Sequence, residues 1–322
     1  MNLLNFQLLL SSDILTNFID NMDVYFIMIV ALAFLAVGDL VVGVSNDAVN
    51  FLNSALGSKA ISVRKIMILA SLGVLVGSVF SSGMMEVARK GIFNPEMLLF
   101  SEIMIIFMAV MITDILLLDF FNTLGLPTST TVSIVFELLG AAVAVSLIKI
   151  SGLGNEFGDL VNYINVEKAS QIILGILLSV FIAFSIGALV QFLARTILSY
   201  NYEQKSKWVG SIFGGVALTS ISYFILMKGI KGTSFAKESF DLLDGATISS
   251  FLETEVLFIS LASFVLLSLV SYILIFSFKV NIYKLIIGVG TFSLALAFAG
   301  NDLVNFIGVP IAAWQSYEAW IA

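Results

Sequence analysis

The sequence Asn46-Asp47-Ala48-Val49-Asn50-Phe51 occurs twice in this chain, with one change in the second copy. That copy reads Asn301-Asp302-Leu303-Val304-Asn305-Phe306, so five of the six residues are identical. Each copy follows an apolar stretch. Asn and Asp are costly at membrane depth, and a repeated pair of them there indicates a function. The alternative is that both copies are polar caps or turns, which Asn and Asp also favour.

The composition around the two copies is that of a membrane protein. Of the 322 residues, 59% are hydrophobic and 11% are charged, whereas a soluble domain carries roughly 25% charged residues. A chain this apolar cannot cover itself with a surface that suits water, so lipid is its expected surrounding. The net charge of −7 argues against a nucleic acid partner, which needs a basic patch.

The chain contains no cysteine and no histidine. This excludes disulfides, thiolate metal sites, Cys or His nucleophiles, haem ligation by His and His-based proton relays. The groups left for chemistry are carboxylates, amides, hydroxyls, Lys and the backbone. We therefore expect a protein that is not an enzyme and that has no cofactor.

Eight apolar stretches are long enough to cross a membrane. A spanning helix needs roughly 20 mainly apolar residues, and backbone in contact with lipid must be fully hydrogen-bonded, which favours helices. The stretches lack the alternation of a strand. The predicted spans lie near 24–44, 65–88, 97–121, 132–150, 169–197, 208–228, 254–278 and 283–300. The fold class is therefore an all-α polytopic membrane protein with about eight spans.

The basic residues of the loops predict the orientation. Successive loops lie on alternate sides of the membrane. The loops on one side carry eight Lys and Arg residues, and those on the other side carry seven. The positive-inside rule places the more basic loops in the cytoplasm, so the N-terminus is predicted to lie outside. The predicted cytoplasmic set is Lys59, Arg64, Lys65, Arg195, Lys205, Lys207, Lys279 and Lys284.

The two copies of the motif lie on the first and the eighth predicted spans. Seven crossings separate these two spans, so they should run antiparallel, as in an inverted-topology repeat. Transporters built this way bind substrate near the midplane, where broken helices of both halves meet. Each copy continues into apolar sequence, as a broken helix does. We expect an inverted-repeat secondary transporter with broken or re-entrant helices, in which Asp47 and Asp302 face a shared cavity.

A hydroxyl-rich tract, Pro127-Thr128-Ser129-Thr130-Thr131-Val132-Ser133, lies between the third and fourth predicted spans. Pro127 suits the first turn of a helix, and Ser and Thr cap its free amides. The first turn presents N–H groups and partial positive charge, which favour a phosphate-like anion. Hydroxyls add neutral donors for a tetrahedral oxyanion. The alternative is a plain helix cap.

Three acidic residues flank this tract. Asp114 and Asp119 precede it, and Glu137 follows it inside an apolar stretch. Glu137 is either a residue of a transport pathway or the partner of a Lys or of a backbone group. The sequence leaves these alternatives open.

The repeated motif and the tract together resemble the inorganic phosphate transporter (PiT) family. Its members carry two Gly-Ala-Asn-Asp-x-x-Asn motifs, one in each inverted repeat, and Pro-(Thr/Ser/Val)-Ser-Thr-Thr tracts in re-entrant hairpins. The resemblance spans residues 40 to 310 in order and spacing. Val44-Ser45 departs from the Gly-Ala of the motif, Val132 stands where the family often has His, and Glu137 where small residues are usual. These departures leave the choice of coupling ion open.

The resemblance implies cation-coupled uptake of phosphate by alternating access. In a low dielectric, Asp47 and Asp302 repel phosphate, and neither copy contains Lys or Arg, so a cation must bridge them. Hard oxygen ligands favour sodium over a proton. The predicted sodium ligands are Asp47, Asn50, Asp302 and Asn305. The predicted phosphate ligands are Asn46, Asp47, Thr128, Ser129, Thr130, Thr131, Asn301 and Asp302. Alternatives are a transporter of another tetrahedral oxyanion, such as sulfate, and an uncoupled anion channel.

The organisation of the chain follows from these features. We expect an interfacial segment over 1–23, a first repeat with the motif and the tract over 24–228, an extramembrane connection over 229–253, and the start of a second repeat over 254–322. That second repeat is expected to be incomplete, since the family has another hydroxyl tract after the second motif. The expected location is the plasma membrane, or the inner membrane of a bacterium. A homo-oligomer is compatible with this interpretation.

Overall fold

The computed structural model describes residues 23–79, 91–153, 156–198, 207–227, 238–239 and 246–322, and these are nearly all helical. The described residues form no strand beyond two isolated bridges. The all-α fold is thus confirmed. The helices are α1 Val24–Ser58, α2 Val63–Val79, α3 Phe100–Leu124, α4 Thr130–Leu153, α5 Leu160–Tyr163, α6 Val166–Leu198, α7 Lys207–Ile225, α8 Ile248–Thr254, α9 Val256–Phe276, α10 Ile282–Asn301 and α11 Leu303–Ile321.

Seven stretches of the described chain are long and apolar enough to cross a membrane. They are α1, α3, α4, α6, α7, α9 and the α10–α11 pair. The second predicted span is helical over Val63–Val79, and its remainder falls outside the described residues, as do the segment 1–22 and most of the connection 229–253. After the second copy of the motif begins, the chain continues as helix α11 to Ile321. The chain is therefore a multi-pass membrane protein.

The two copies of the motif differ in their helices. The first copy lies within α1, which is continuous from Val24 to Ser58. The break expected at the first copy is therefore absent, because its polar side chains find partners without opening the backbone. The second copy coincides with a break, since α10 ends at Asn301 and α11 begins at Leu303, with Asp302 between them.

Where the two copies meet, α1 and the α10–α11 pair run in opposite directions. Gly43, before the first copy, lies directly against the ring of Phe306, at the end of the second. Phe51, at the end of the first copy, packs on Phe298, before the second, with ring centroids 5.1 Å apart. The order of contacts is thus reversed between the two segments. This is the antiparallel arrangement that the sequence predicts.

Small residues set the spacing of two further helix pairs. A side chain at Gly73 would meet the carbonyl oxygen of Phe292, and one at Gly77 would meet that of Leu296, so α2 lies directly on α10. Gly214 of α7 packs against Ser271 of α9 in the same way. Such close approach is the usual role of small residues between membrane helices.

The two ends of the bundle are distinct. At one end, Ser58, Arg195 and Lys284 line a single cavity, so the loop after α1, the end of α6 and the start of α10 lie together. At the other end, Lys149 of α4 pairs with Glu102 of α3 at 2.8 Å. The grouping of the basic residues on one side agrees with the predicted loops, and the compartment that this side faces stays a prediction.

Candidate functional site

The hydroxyl tract forms the start of α4, as predicted. The helix begins at Thr130, and the N–H of Val132 donates to Ser129 Oγ at 3.3 Å. Ser129 is therefore a helix cap, which is the alternative that the sequence left open for the tract. Pro127 lies in the non-helical segment before the helix and not in its first turn, because the helix starts only after Ser129.

Asn46 of the first copy holds the connection between α3 and α4. Its Oδ1 accepts a hydrogen bond from the N–H of Thr128 at 2.8 Å. Its Nδ2 donates to Asn122 Oδ1 at 2.9 Å and to the carbonyl oxygen of Leu126 at 3.2 Å. Asn122 in turn donates to the carbonyl oxygen of Val42 at 2.9 Å. These bonds tie the tract to α1.

Two consecutive threonines of the tract each bond an aspartate of one copy. Thr130 Oγ1 donates to Asp47 Oδ2 at 3.2 Å. Thr131 Oγ1 donates to Asp302 Oδ1 at 3.0 Å. Because Thr130 and Thr131 are neighbours, the tract brings together two carboxyl groups that lie far apart in the sequence.

The second asparagine of each copy joins this network in a different way. Asn50 Nδ2 donates to Asp47 Oδ1 at 3.1 Å, within α1. Asn305 Nδ2 donates to Thr131 Oγ1 at 2.9 Å, between α11 and α4. Asn50 is exposed, whereas Asn305 is buried. The two copies are therefore similar in sequence but not equivalent in structure.

The centre of the network is shielded by the helices. Asp47 and Thr130 are only 4% and 1% exposed. Burying a carboxylate is costly unless it is hydrogen-bonded or paired with a cation, and neither copy of the motif contains a basic residue. Carboxyl, amide and hydroxyl oxygens meet here, and these are the hard ligands that alkali cations prefer.

The structure joins most of the predicted site residues in one network. The sequence pattern did not predict a role for Asn122. The one indication of it in the sequence is an amide side chain in the last turn of an apolar helix. Asp39 was also missed, although an acid within a spanning helix is itself a signal. The side chain of Asn301 is outside what the structure describes. The residues brought together are Asn46, Asp47, Asn50, Thr128, Thr130, Thr131, Asp302 and Asn305.

The spanning helices pack around a buried polar network, and two antiparallel copies of one motif contribute to it. This arrangement is that of an α-helical membrane protein of the transporter class. A family model described as the Phosphate transporter family matches residues 43–322, and the chain belongs to that family. The match includes both copies and the tract. It confirms the predicted resemblance and the class of transporters, as opposed to enzymes.

Relatives of known name agree with the family. A putative phosphate permease of Thermococcus kodakarensis is 25% identical over 286 residues, which are 84% of this chain and 62% of that protein. One of Pyrococcus furiosus is 26% identical over 194 residues, which are 58% of this chain and 43% of that protein. This chain therefore spans less than two thirds of the length of either relative.

A solved structure titled "The sodium-dependent phosphate transporter" shares the fold. The TM-score is 0.62, the sequence identity is 20%, and the match covers 92% of this chain and 69% of that one. At this identity the similarity establishes the architecture of the helices.

Proposed function

We propose that this chain transports inorganic phosphate across the membrane in symport with sodium. The observation that carries the proposal is the pair of bonds from Thr130 to Asp47 and from Thr131 to Asp302. In these two bonds, residues predicted to donate to phosphate contact residues predicted to bind the cation, one carboxyl group from each copy. The family and the sodium-dependent structural relative support both the substrate and the ion.

The need for a cation follows from charge. Phosphate near neutral pH carries between one and two negative charges, and two carboxylates in a poorly solvated site repel it. A cation held by the carboxyl and amide oxygens of the two copies turns this repulsion into a bridge. In this proposal the sodium ligands are Asp47, Asn50, Asp302 and Asn305.

The hydroxyl groups and amides at the start of α4 would receive the phosphate. The hydroxyls of Thr130 and Thr131 donate to carboxyl oxygens. Once a cation neutralises the carboxylates, the same hydroxyls would donate to phosphate oxygens instead. Asn46 has all its hydrogen-bonding groups engaged with the α3–α4 connection, so its part is to hold Thr128 in place. The residues proposed to form or support the phosphate site are Asn46, Asp47, Thr128, Ser129, Thr130, Thr131, Asn301 and Asp302.

Alternating access would move the two copies relative to each other. The reversed order of contacts between α1 and the α10–α11 pair supports an inverted repeat, with one half over 24–228 and the other beginning at 254. The break around Asp302 offers a point at which the second half can bend. The plasma membrane, or the inner membrane of a bacterium, is the proposed location.

Uptake of radiolabelled phosphate into proteoliposomes tests the proposal, with sodium and proton gradients imposed independently. We expect uptake to follow the sodium gradient, and arsenate to compete where sulfate does not. Flux that ignores both gradients would indicate an uncoupled channel. Competition by sulfate would indicate a transporter of another oxyanion.

A further inference from the structure

A second group of carboxyl side chains lies inside the bundle, away from the proposed phosphate site. Asp39 is on α1, Asp114 on α3 and Glu137 on α4, and we call these three residues the acid triad. Asp39 and Asp114 are 0% exposed. Asp114 interacts with both of the others. Three helices therefore each direct one carboxyl group to the same place in the membrane interior.

The oxygens of the acid triad have no other hydrogen-bond donor. All six carboxyl oxygens are buried, and none accepts a hydrogen bond from an N–H or O–H group of the described residues. An ionised carboxylate can only accept hydrogen bonds, whereas a protonated one can donate. A proton is therefore the group that would let these three side chains satisfy one another.

Charge leads to the same requirement. Neighbouring carboxylates repel one another strongly in a low dielectric, and a buried charge without a partner is costly. The nearest basic residue on α4 is Lys149, twelve residues or about 18 Å along the helix from Glu137, and it pairs with Glu102. The described residues of α1 and α3 include no Lys or Arg, so protons are the groups left to neutralise the triad.

The other titratable groups on the packed helices lie elsewhere. Asp47 is two turns, or about 12 Å, along α1 from Asp39. Asp119 of α3 is exposed. The remaining groups occupy helix ends or the phosphate site, and they are Tyr25 on α1, Arg64 and Lys65 on α2, Glu102 on α3, Tyr163 on α5, Tyr283 and Lys284 on α10, Asp302 at the α10–α11 break, and Tyr317 and Glu318 on α11.

The acid triad does not have the arrangement of a metal site. Among the residues that the structure describes, no group of three or more acidic side chains is placed to hold a metal ion. A proton needs no coordination shell and can be shared between two carboxyl groups. The chemistry of the triad therefore selects a proton over a metal cation.

A cavity extends from Glu137 of the triad to the tract. It measures about 590 Å³ between α3 and α4, and its lining includes Thr128, Ser133 and Glu137. Ser133 and Glu137 are four residues apart and share one face of α4, and Ser129 caps the start of this helix. Asp39 and Asp47 share a face of α1 in the same way, with Gly43 between them. Both helices thus link the triad to the phosphate site.

We propose that Asp39, Asp114 and Glu137 form a proton-binding site within the membrane. The site holds protons at neutral pH and exchanges them when the charge at Asp47 changes. Proton binding stands on the geometry of the triad alone, whereas its exchange on arrival of phosphate rests on the proposed function.

Infrared spectroscopy of the full chain in lipid vesicles tests proton binding without any phosphate. A protonated carboxyl group gives a C=O stretching band that shifts in D₂O. We expect such a band at neutral pH, with parts that shift when the protein is labelled with ¹³C-aspartate and with ¹³C-glutamate. The absence of the band at neutral pH would overturn the proposal, and this measurement needs no variant.

Substitutions assign the band. Glu137→Gln and Asp39→Asn preserve shape and should each remove part of it, whereas Asp119→Asn, an exposed acid on α3, should leave it intact. A band unchanged in both triad variants would overturn the assignment to these residues.

A pH-indicator dye tests the exchange. Addition of inorganic phosphate to weakly buffered wild-type protein should change the number of bound protons, and Glu137→Gln should lose this change while still binding phosphate. The same proton exchange in Glu137→Gln as in the wild type would overturn the coupling. Failure of the wild type to bind phosphate would instead contradict the proposed function and leave the infrared result standing.

Discussion

At the scale of single residues, the charge of two aspartates and the hydroxyls of two threonines form the centre of the site. Each aspartate comes from one copy of the motif, and each accepts a hydrogen bond from one of two neighbouring threonines. Removing a charge and removing a donor therefore test different parts of the proposed mechanism.

The charge test replaces Asp302 with Asn. If the carboxylate only repelled phosphate, phosphate binding would tighten. If it holds a cation that holds phosphate, binding should weaken by about 1–4 kcal/mol, or roughly ten- to a thousandfold, and lose its sodium dependence. We expect the second result, and the same for Asp47→Asn. The measurement is phosphate binding against sodium concentration, with Asp119→Asn as the control. Tighter binding with intact sodium dependence would contradict cation bridging.

The donor test replaces Thr131 with Val, which keeps the branched shape and removes the hydroxyl. Asp302 would lose a donor and Asn305 an acceptor, and a hydrogen bond to a charged group contributes about 1.5–3 kcal/mol. Phosphate affinity should fall roughly ten- to a hundredfold, and Thr130→Val should act alike through Asp47. Thr123→Val, exposed on α3, is the matched control. Wild-type affinity in both tract variants would mean that the tract serves only as a cap.

At the scale of helices, close contacts decide where the second copy lies. Gly73 and Gly77 let α2 lie on α10, the helix that ends at Asn301. Because the neighbouring atoms include backbone carbonyl oxygens, the contact cannot adapt through a change of side-chain conformation.

A larger residue in this contact should therefore destabilise the protein. We expect Gly73→Ala to lower stability by about 1–3 kcal/mol, as overpacking does, despite the better helix propensity of Ala. Thermal unfolding in detergent measures the effect. Gly187→Ala on α6, where nothing lies within 4 Å, should show no loss. An equal melting temperature for Gly73→Ala and the wild type would show that the two helices are not in such close contact.

At the scale of the whole molecule, the orientation of the chain decides which compartment each end of the bundle faces. The chain has no cysteine, so single cysteines can report accessibility without background. Lys59 and Glu156 are both exposed, and they lie in loops that the span order assigns to opposite sides.

The positive-inside rule predicts that the loop with Lys59 is cytoplasmic. In intact cells, an impermeant thiol reagent should therefore label Glu156→Cys and not Lys59→Cys. Both should react after the cells are opened, and the cysteine-free parent should not react at all. The reverse pattern in intact cells would invert the orientation, and equal labelling would contradict the span order.

The sequence by itself determined the properties that depend on local composition and spacing. Apolar length predicted the spanning helices, the density of hydroxyl residues predicted the helix start at the tract, and the repeated motif indicated which two segments matter. These inferences depend on local sequence alone. Backbone in lipid must satisfy its own hydrogen bonds, so helices are the expected element regardless of how distant segments pack.

Only the tertiary structure decided which side chains meet. Asn46 reaches Asn122, 76 residues away, and Asp39 joins Asp114 and Glu137 from three different helices. The sequence also did not show that α1 continues through its copy of the motif, whereas the chain breaks at Asp302. Such pairings depend on how the helices pack and rotate against one another. The sequence pattern of a single helix does not show which distant helix it will contact.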